Sequence, residues 1–349
     1  MTHALEVTHC AAQAPYRGGV TSGDVDTRAA PLARVIRGGL VESVHHGHLV
    51  GLTAAGATAV VVGDPDVTFF PRSSLKPVQA VGMLRAGLDL SGELLGLAAA
   101  SHSGEPAHLQ GVGRILAGAG LTPDDLQNTP GLPLDPDAAA AWRRAGLAPA
   151  PMAQNCSGKH AAMLATCRAA GWATAGYLDP AHPLQVVVRA TVEELTGVPV
   201  VHTTVDGCGA PLYSTTPAGL ARAFGRIGTA PPATPEGRVA AALRAHPWWV
   251  AGTGRDVTRL AAAVPGLIAK DGAEGVFAAA LPDGRAVVVK VLDGSPRPLA
   301  TVVAAAFRAL GADAPDLDTA ARTPVLGHGV PVGRVEPLLG VPDGVPSVS

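Results

Sequence analysis

The chain has 349 residues, of which 47% are apolar and 15% charged, with a formal net charge of −2. That apolar fraction can fill the core of one large domain or two small ones, and so sparse and balanced a charge leaves no basic field for nucleic acid or an anionic membrane surface. Aromatic residues make up 3%, while Gly (43) and Pro (31) are abundant, so many turns must join elements packed with Ala, Val and Leu.

Residues 1–34 mix Thr, Gly, Asp, Pro and Ala without periodicity, which predicts a flexible extension ahead of one domain over 35–349. From Gly39, "GLVESVHHGHLVGLTAAGATAVVVGD" partly alternates and predicts a hairpin or meander. "RSSLKPVQAVGMLRAG" then sets serines ahead of apolar residues at helical spacing, with Gly87 as a stop. Helical patterns follow at 92–100, 107–119, 138–145, 157–170, 183–196 and 217–226, and define a helical lobe over about 90–230. Strands return in "GLIAKDGAEGVFAAALPDGRAVVVKVLDG", whose "PDG" marks a hairpin. A helix over 298–310 comes next, and the last forty residues read as loop, extended packing and a frayed tail. Strand blocks near both ends predict an α+β fold, with one antiparallel sheet made from N- and C-terminal strands, helices packed on it, and a lobe of helices between. No charged-then-apolar leader and no apolar run of membrane-span length is present. Four scattered cysteines (Cys10, Cys156, Cys167, Cys208) make no disulfide framework, so a cytoplasmic protein is expected.

Of the 26 basic residues only four are lysine: Lys76, Lys159, Lys270 and Lys290. A lysine kept where arginine is the habitual cation is a candidate for chemistry that needs a deprotonated amine. Ser73 and Lys76, one helical turn apart, put a hydroxyl beside such an amine, a nucleophile next to its base. An N-cap serine ahead of a solvated lysine is the plainer reading of that motif alone. "SHSGEPAH" (101–108) and "KDGAEG" (270–275) add a serine-bearing turn in the helical lobe and a lysine on a late strand. Together they echo the three-part layout of penicillin-recognising serine hydrolases without the usual spellings. In "QNCSGKHAAML" and "TTVDGCGAP", Cys156 and Cys208 offer two thiolates to Zn²⁺, with His160 or Lys159 as a third donor. Two buried free cysteines explain the same residues without a metal. His45, His46 and His48 share a strand with no acid or thiol near in sequence, and Trp248 and Trp249 suit a core anchor or a dimer contact.

In this order, "VESVHHGH", "DPDVTFFPRSSLKPVQA", "SHSGEPAH", "QNCSGKHAAML", "DGCGAP", "AGTGRDVTRL" and "AKDGAEGVF" resemble the L-asparaginase II family of Rhizobium-type, class 3 amidohydrolases, from about Gly39 to the C-terminus. The resemblance implies a fold like the serine β-lactamases and glutaminases, hydrolysis of L-asparagine, a zinc site and a homodimer. By position it makes Ser73 the nucleophile beside Lys76, joined by Ser101 and Lys270. Cys156, Lys159 and Cys208 become metal ligands with Asp206 orienting them from outside. Arg72, His102, Asp206 and Arg255 are the groups expected around the substrate, with a salt bridge from Arg255 to Asp256 or another acid as the equal alternative. "GTGRDVTRL" departs from the family pattern at Arg255 and Asp256, and Ser74 and Ser103 stand close enough to be confused with Ser73 and Ser101. The expected chemistry is an acyl-enzyme with zinc orienting the substrate. Alternatives are a deamidase driven by zinc-bound water, a glutaminase or β-lactam hydrolase, and a non-catalytic zinc protein.

Overall fold

A computed structural model describes residues 25–339. Three strands open the described chain: β1 (Ala30–Arg37), β2 (Leu40–Leu52) and β3 (Thr58–Val62). A short pair in the helical region, β4 (Thr203–Val205) and β5 (Pro211–Tyr213), stands apart as its own ribbon. The later strands are β6 (Ile268–Gly272), β7 (Val276–Ala280), β8 (Ala286–Val291), β9 (Pro324–Gly327) and β10 (Val330–Pro337). Eight of these strands make one antiparallel sheet in the order β6-β7-β8-β2-β1-β10-β9, with β3 also on β2. The two ends of the chain meet where Leu49 of β2 faces Val289 of β8, and where Val35 of β1 faces Val335 of β10. This is the α+β arrangement expected from the sequence.

Strands β7 and β8 are buried along their whole length, so "VFAAA" and "AVVVKV" read as apolar runs instead of alternating. Helices Pro217–Thr229 and Leu299–Ala309 pack against β8. The lobe gathers helices Lys76–Arg85, Gly92–Ala98, Pro106–Gly118, Ser157–Ala170 and Pro183–Thr196. Helix Ser157–Ala170 is buried from Ser157 to Leu164, because it threads between its neighbours. At Gly158 a Cβ would stand 2.5 Å from the Leu97 carbonyl oxygen, so only glycine admits that crossing. Among the described residues no helix is long and apolar enough to cross a membrane.

The structure differs from the sequence reading near both ends of the described chain. Residues 30–34, expected to belong to the flexible extension, start β1, with Leu32 and Ala33 fully buried. The rest of that segment, residues 1–24 with Cys10, lies outside the described residues. The tail read as loop and extended packing contains the hairpin of β9 and β10, an outer part of the main sheet. Helices Pro235–Ala245, Pro247–Val250, Asp256–Ala263 and Leu317–Ala321 were not anticipated, for their Ala, Gly and Pro content hides an apolar stripe.

Candidate active site

The site begins at a bend. Arg72 holds a left-handed φ of 53°, a conformation that costs a non-glycine residue of order 1 kcal/mol. It turns the chain into the 3-10 turn Arg72–Leu75, which feeds helix Lys76–Arg85. Ser74 is buried and donates its hydroxyl to the Pro71 carbonyl at 2.7 Å. Ser73 is half-buried, and among the described residues its hydroxyl makes no hydrogen bond. Of the two adjacent serines, Ser73 is the one with a hydroxyl left over for chemistry. Strand β6 closes on this bend: a Cβ at Gly272 would lie 2.6 Å from the Pro71 carbonyl oxygen, so the glycine lets Lys270 arrive beside the Ser73 turn.

Lys76 reaches into the helical lobe. Its buried amine donates to the Ala100 carbonyl at 2.5 Å, to Ser101 Oγ at 3.0 Å and to Cys156 Sγ at 3.2 Å. The pairing expected from the spacing alone, Ser73 with Lys76, is thus replaced by Lys76 on Ser101. One turn of separation aligns the two side chains, but the acceptors from residues 100, 101 and 156 draw the amine away. Ser103 is committed elsewhere, donating to the Ala251 carbonyl at 2.9 Å.

Lys270 is fully buried, and among the described residues its amine makes no hydrogen bond to either serine. Its amine donates to the carboxylate and to the main-chain carbonyl of Asp271, the latter at 2.7 Å. Burial pushes its pKa down to about 8 despite the Asp271 charge, with Lys76 and Arg255 adding to the depression. Burial alone would raise the Asp271 carboxyl, but Lys270 and Arg255 hold it well below the usual carboxylate range. Asp271 was quoted within its motif but given no role from the sequence. Its signal exists only in three dimensions, where Arg255 Nη2 meets its Oδ2 at 2.5 Å.

Arg255 and His102, expected to meet substrate, are both engaged by the protein. Arg255 adds a 3.5 Å contact from Nη1 to the Ser101 carbonyl, while Asp256 pairs with Arg259. His102 is buried, with Nδ1 accepting from the Gly104 N–H at 3.1 Å and Nε2 donating to Ser157 Oγ at 2.9 Å. Burial keeps it neutral, far below its ordinary pKa, so it supports the Ser101 turn and offers no ring nitrogen to a ligand. Arg72, like Arg255, keeps a quarter of its side chain exposed; it pairs with Asp206 at 2.8 Å and lies 3.9 Å from Glu274.

The sulfur side of the site is contiguous with this one. Cys156 and Cys208 are buried and hydrogen-bonded to each other, and Lys159 Nζ donates to Cys208 Sγ at 3.3 Å. The bond from Cys208 holds Cys156 well below the ordinary thiol pKa with help from Lys76 and Lys159, and the same bond pushes Cys208 up. Cys156 is thus the more acidic thiol of the pair and Cys208 the less acidic. Burial works against the Lys159 charge, but the sulfurs and Asp206 outweigh it and raise its pKa. Asp206 is held down by Lys159 and Arg72 against its own burial. Among the described residues no three His, Cys, Asp or Glu side chains group so as to hold a metal; the donors gathered here are the two sulfurs and the Lys159 amine.

The remaining singled-out residues are structural. His45 pairs with Asp293 at 2.6 Å, and His48 lies 2.6 Å from the Val25 carbonyl and accepts from the Asp64 N–H. Trp248 stacks on His108 with centroids 4.1 Å apart, and Trp249 packs against the core. Lys290 is buried and donates to the Glu274 and Val291 carbonyls at 2.5 and 3.0 Å, bracing the "KDGAEG" turn. A groove of about 520 Å³ between helix Leu299–Ala309 and the β9–β10 hairpin is lined by none of these site residues.

With that geometry in place, the L-asparaginase II family matches over residues 33–337. The chain belongs to the L-asparaginase II family. No curated protein matches it. Among solved structures, a β-lactamase from Mycobacterium bovis is similar at 17% identity, covering 76% of this chain and 93% of its own, with a TM-score of 0.43. A protein called Mglu is similar at 16% identity over 75% of this chain and 67% of its own, with a TM-score of 0.32. The family assignment supports an amidohydrolase with a small amide substrate.

Proposed function

We propose that this L-asparaginase II family member hydrolyses the side-chain amide of L-asparagine to L-aspartate and ammonia through a seryl ester. The observation that carries the reading is the buried Lys76 amine, 3.0 Å from Ser101 Oγ and one turn from the unpaired hydroxyl of Ser73. Ser73 Oγ attacks the amide carbon as its proton passes to the Lys76 amine, which turns back from the Ser101 side to take it, while N–H groups of the same turn steady the oxyanion. The C–N bond breaks as the Ser101 hydroxyl, backed by Lys76, hands a proton to the leaving ammonia. Water then attacks the ester and gives one proton to the neutral Lys270 amine; the ester C–O bond breaks as the new carboxyl group's proton passes to Ser73 Oγ, so aspartate leaves as the carboxylate, Ser73 is restored, and Lys270 returns its proton to solvent. A second reading makes Ser101 the nucleophile, because Lys76 touches it directly.

Cys156, Cys208 and Lys159 fit a zinc ion by the chemistry of their donors: two sulfurs already in mutual contact and an amine on one of them, in a buried corner. Bound there, zinc would supply a modest Lewis acid that fixes the α-amino and α-carboxylate ends of the substrate. Asp206 would orient that corner through Lys159 and Arg72. Arg72, partly exposed and held by Asp206 on one side, would turn its other guanidinium nitrogens to the substrate carboxylate.

The cytoplasm, a reducing compartment, suits a site built on free thiols. Homodimer formation suits the exposed Leu40, Val41, Val44, Leu326, Val330 and Val332 near one end of the sheet. The test is release of ammonia and aspartate by the full chain from L-asparagine, beside L-glutamine and a β-lactam. Turnover highest on L-asparagine is expected, and higher turnover on either other amide would move the substrate assignment. No hydrolysis of any amide, with unfolding on zinc removal, would leave a structural zinc protein.

A further inference from the structure

We propose that Asp271 is the positioning residue of Lys270: a half-buried carboxylate that carries Lys270 on one oxygen and Arg255 on the other, and so ties strand β6 to the Ser101 turn. This deepens the hydrolase reading and rests on it. The Lys270 amine finds both its hydrogen-bond acceptors on Asp271. Arg255 spans the remaining gap, with Nη2 on Asp271 at 2.5 Å and Nη1 on the Ser101 carbonyl at 3.5 Å.

The loop that presents Arg255 is itself clamped to the Ser101–Ser103 turn. Thr253 binds Glu105 through its N–H at 2.9 Å and its hydroxyl at 2.8 Å, and Ser103 donates to the Ala251 carbonyl at 2.9 Å. A Cβ on Gly252 would fall 2.2 Å from Ser103 Oγ, so this contact tolerates no side chain. Trp248 closes the loop by donating to Thr253 at 3.0 Å. Loop and serine turn therefore move as one body, and Asp271 is the joint by which the lysine strand meets them. The same strand rests on the Ser73 bend at Gly272, so the joint also sets how far Lys270 stands from both serines.

Three charged groups act on Lys270: Asp271 on its own strand, Lys76 from helix Lys76–Arg85, and Arg255 from the loop before helix Asp256–Ala263. Asp271 is the one anion among them, which gives opposite signs for two substitutions. Asp271→Asn leaves Lys270 facing only cations, so it releases its proton at lower pH. Arg255→Gln removes a repelling cation and leaves the Asp271 charge undivided, so the proton is held to higher pH.

The experiment uses the full chain with isotopically labelled lysines, whose four side-chain amines are few enough to assign by Lys270→Arg and to titrate by NMR. The expected result is a Lys270 midpoint at least about one pH unit lower in Asp271→Asn and higher in Arg255→Gln. The acid limb of kcat/KM for L-asparagine should move in the same directions. Shifts of the same sign, or no shift, overturn the proposal, as does an acid limb that ignores a moved Lys270. Should Asp271→Asn fail to fold, the sign in Arg255→Gln alone decides. Absence of ammonia release by the wild type would instead overturn the hydrolase reading, while the NMR signs still report on the joint.

Discussion

Two halves of the site solve the burial of charge differently. Around Ser101 and Lys270, cations are met by oxygen: the Ala100 and Ser101 carbonyls, a serine hydroxyl and the half-buried Asp271 carboxylate. Around Cys156 and Cys208, the amines of Lys76 and Lys159 are met by sulfur. An amine facing hard oxygen acceptors keeps or passes a proton, whereas one beside two thiolates completes a set of donors for a soft metal. In the proposed reading, the difference gives bond making to one half and substrate holding to the other. Lys76 touches both, through Ser101 and Cys156.

That makes Lys76 the place where the comparison breaks most completely. Lys76→Met should lower kcat/KM by about three orders of magnitude or more. It should also cost about 1–3 kcal/mol in denaturant unfolding, because the buried Ala100 carbonyl loses the amine that donates to it. A folded variant with more than a tenth of wild-type turnover would dissolve the division of labour. Cys208→Ser should sharpen it, raising KM for L-asparagine by about 10–100-fold while kcat stays within about threefold. An equal loss in kcat would put the sulfur half into the chemistry itself.

The pH profile probes the oxygen half alone. Lys270 has its pKa depressed to about 8 by burial, so it is protonated below that pH and neutral above it. A base must be neutral, and kcat/KM is expected to rise about tenfold per pH unit toward pH 8 and then level off. Lys270→Arg, charged throughout, should remove the plateau along with most of the activity. The same depression bears on stability: burying the ammonium opposes folding below pH 8, and that penalty is relieved as pH climbs toward the unfolded value of about 10.5. Ser74→Ala marks the small end of the scale. It removes only the bond to Pro71, about 1 kcal/mol of stability, and should leave kcat/KM within about twofold.

Sequence alone made the local parts of this account readable. Helices Ser157–Ala170 and Pro183–Thr196 stand where the pattern puts them, because each ends on a glycine in the left-handed region, Gly171 at φ 71° and Gly197 at φ 65°. Strand β1 was hidden because its partners are β2 and the distant β10, and "APLAR" carries no alternation of its own. The site divides the same way. Counting lysines directs attention to Lys76, Lys159 and Lys270, since rarity is visible along the chain. Which hydroxyl Lys76 reaches is decided by a residue 25 positions away. The role of Asp271 depends on an arginine 16 positions away, and no spacing rule spans that distance.

The central claim is a reactive Ser73, and the most direct measurement is ammonia release from L-asparagine by wild type, Ser73→Ala and Ser101→Ala, side by side above pH 8. The account predicts a silent Ser73→Ala and a slow but measurable Ser101→Ala, since the nucleophile is indispensable and the proton shuttle can be replaced in part by water. Turnover surviving in Ser73→Ala would contradict it and move the nucleophile to Ser101 or to a metal-bound water.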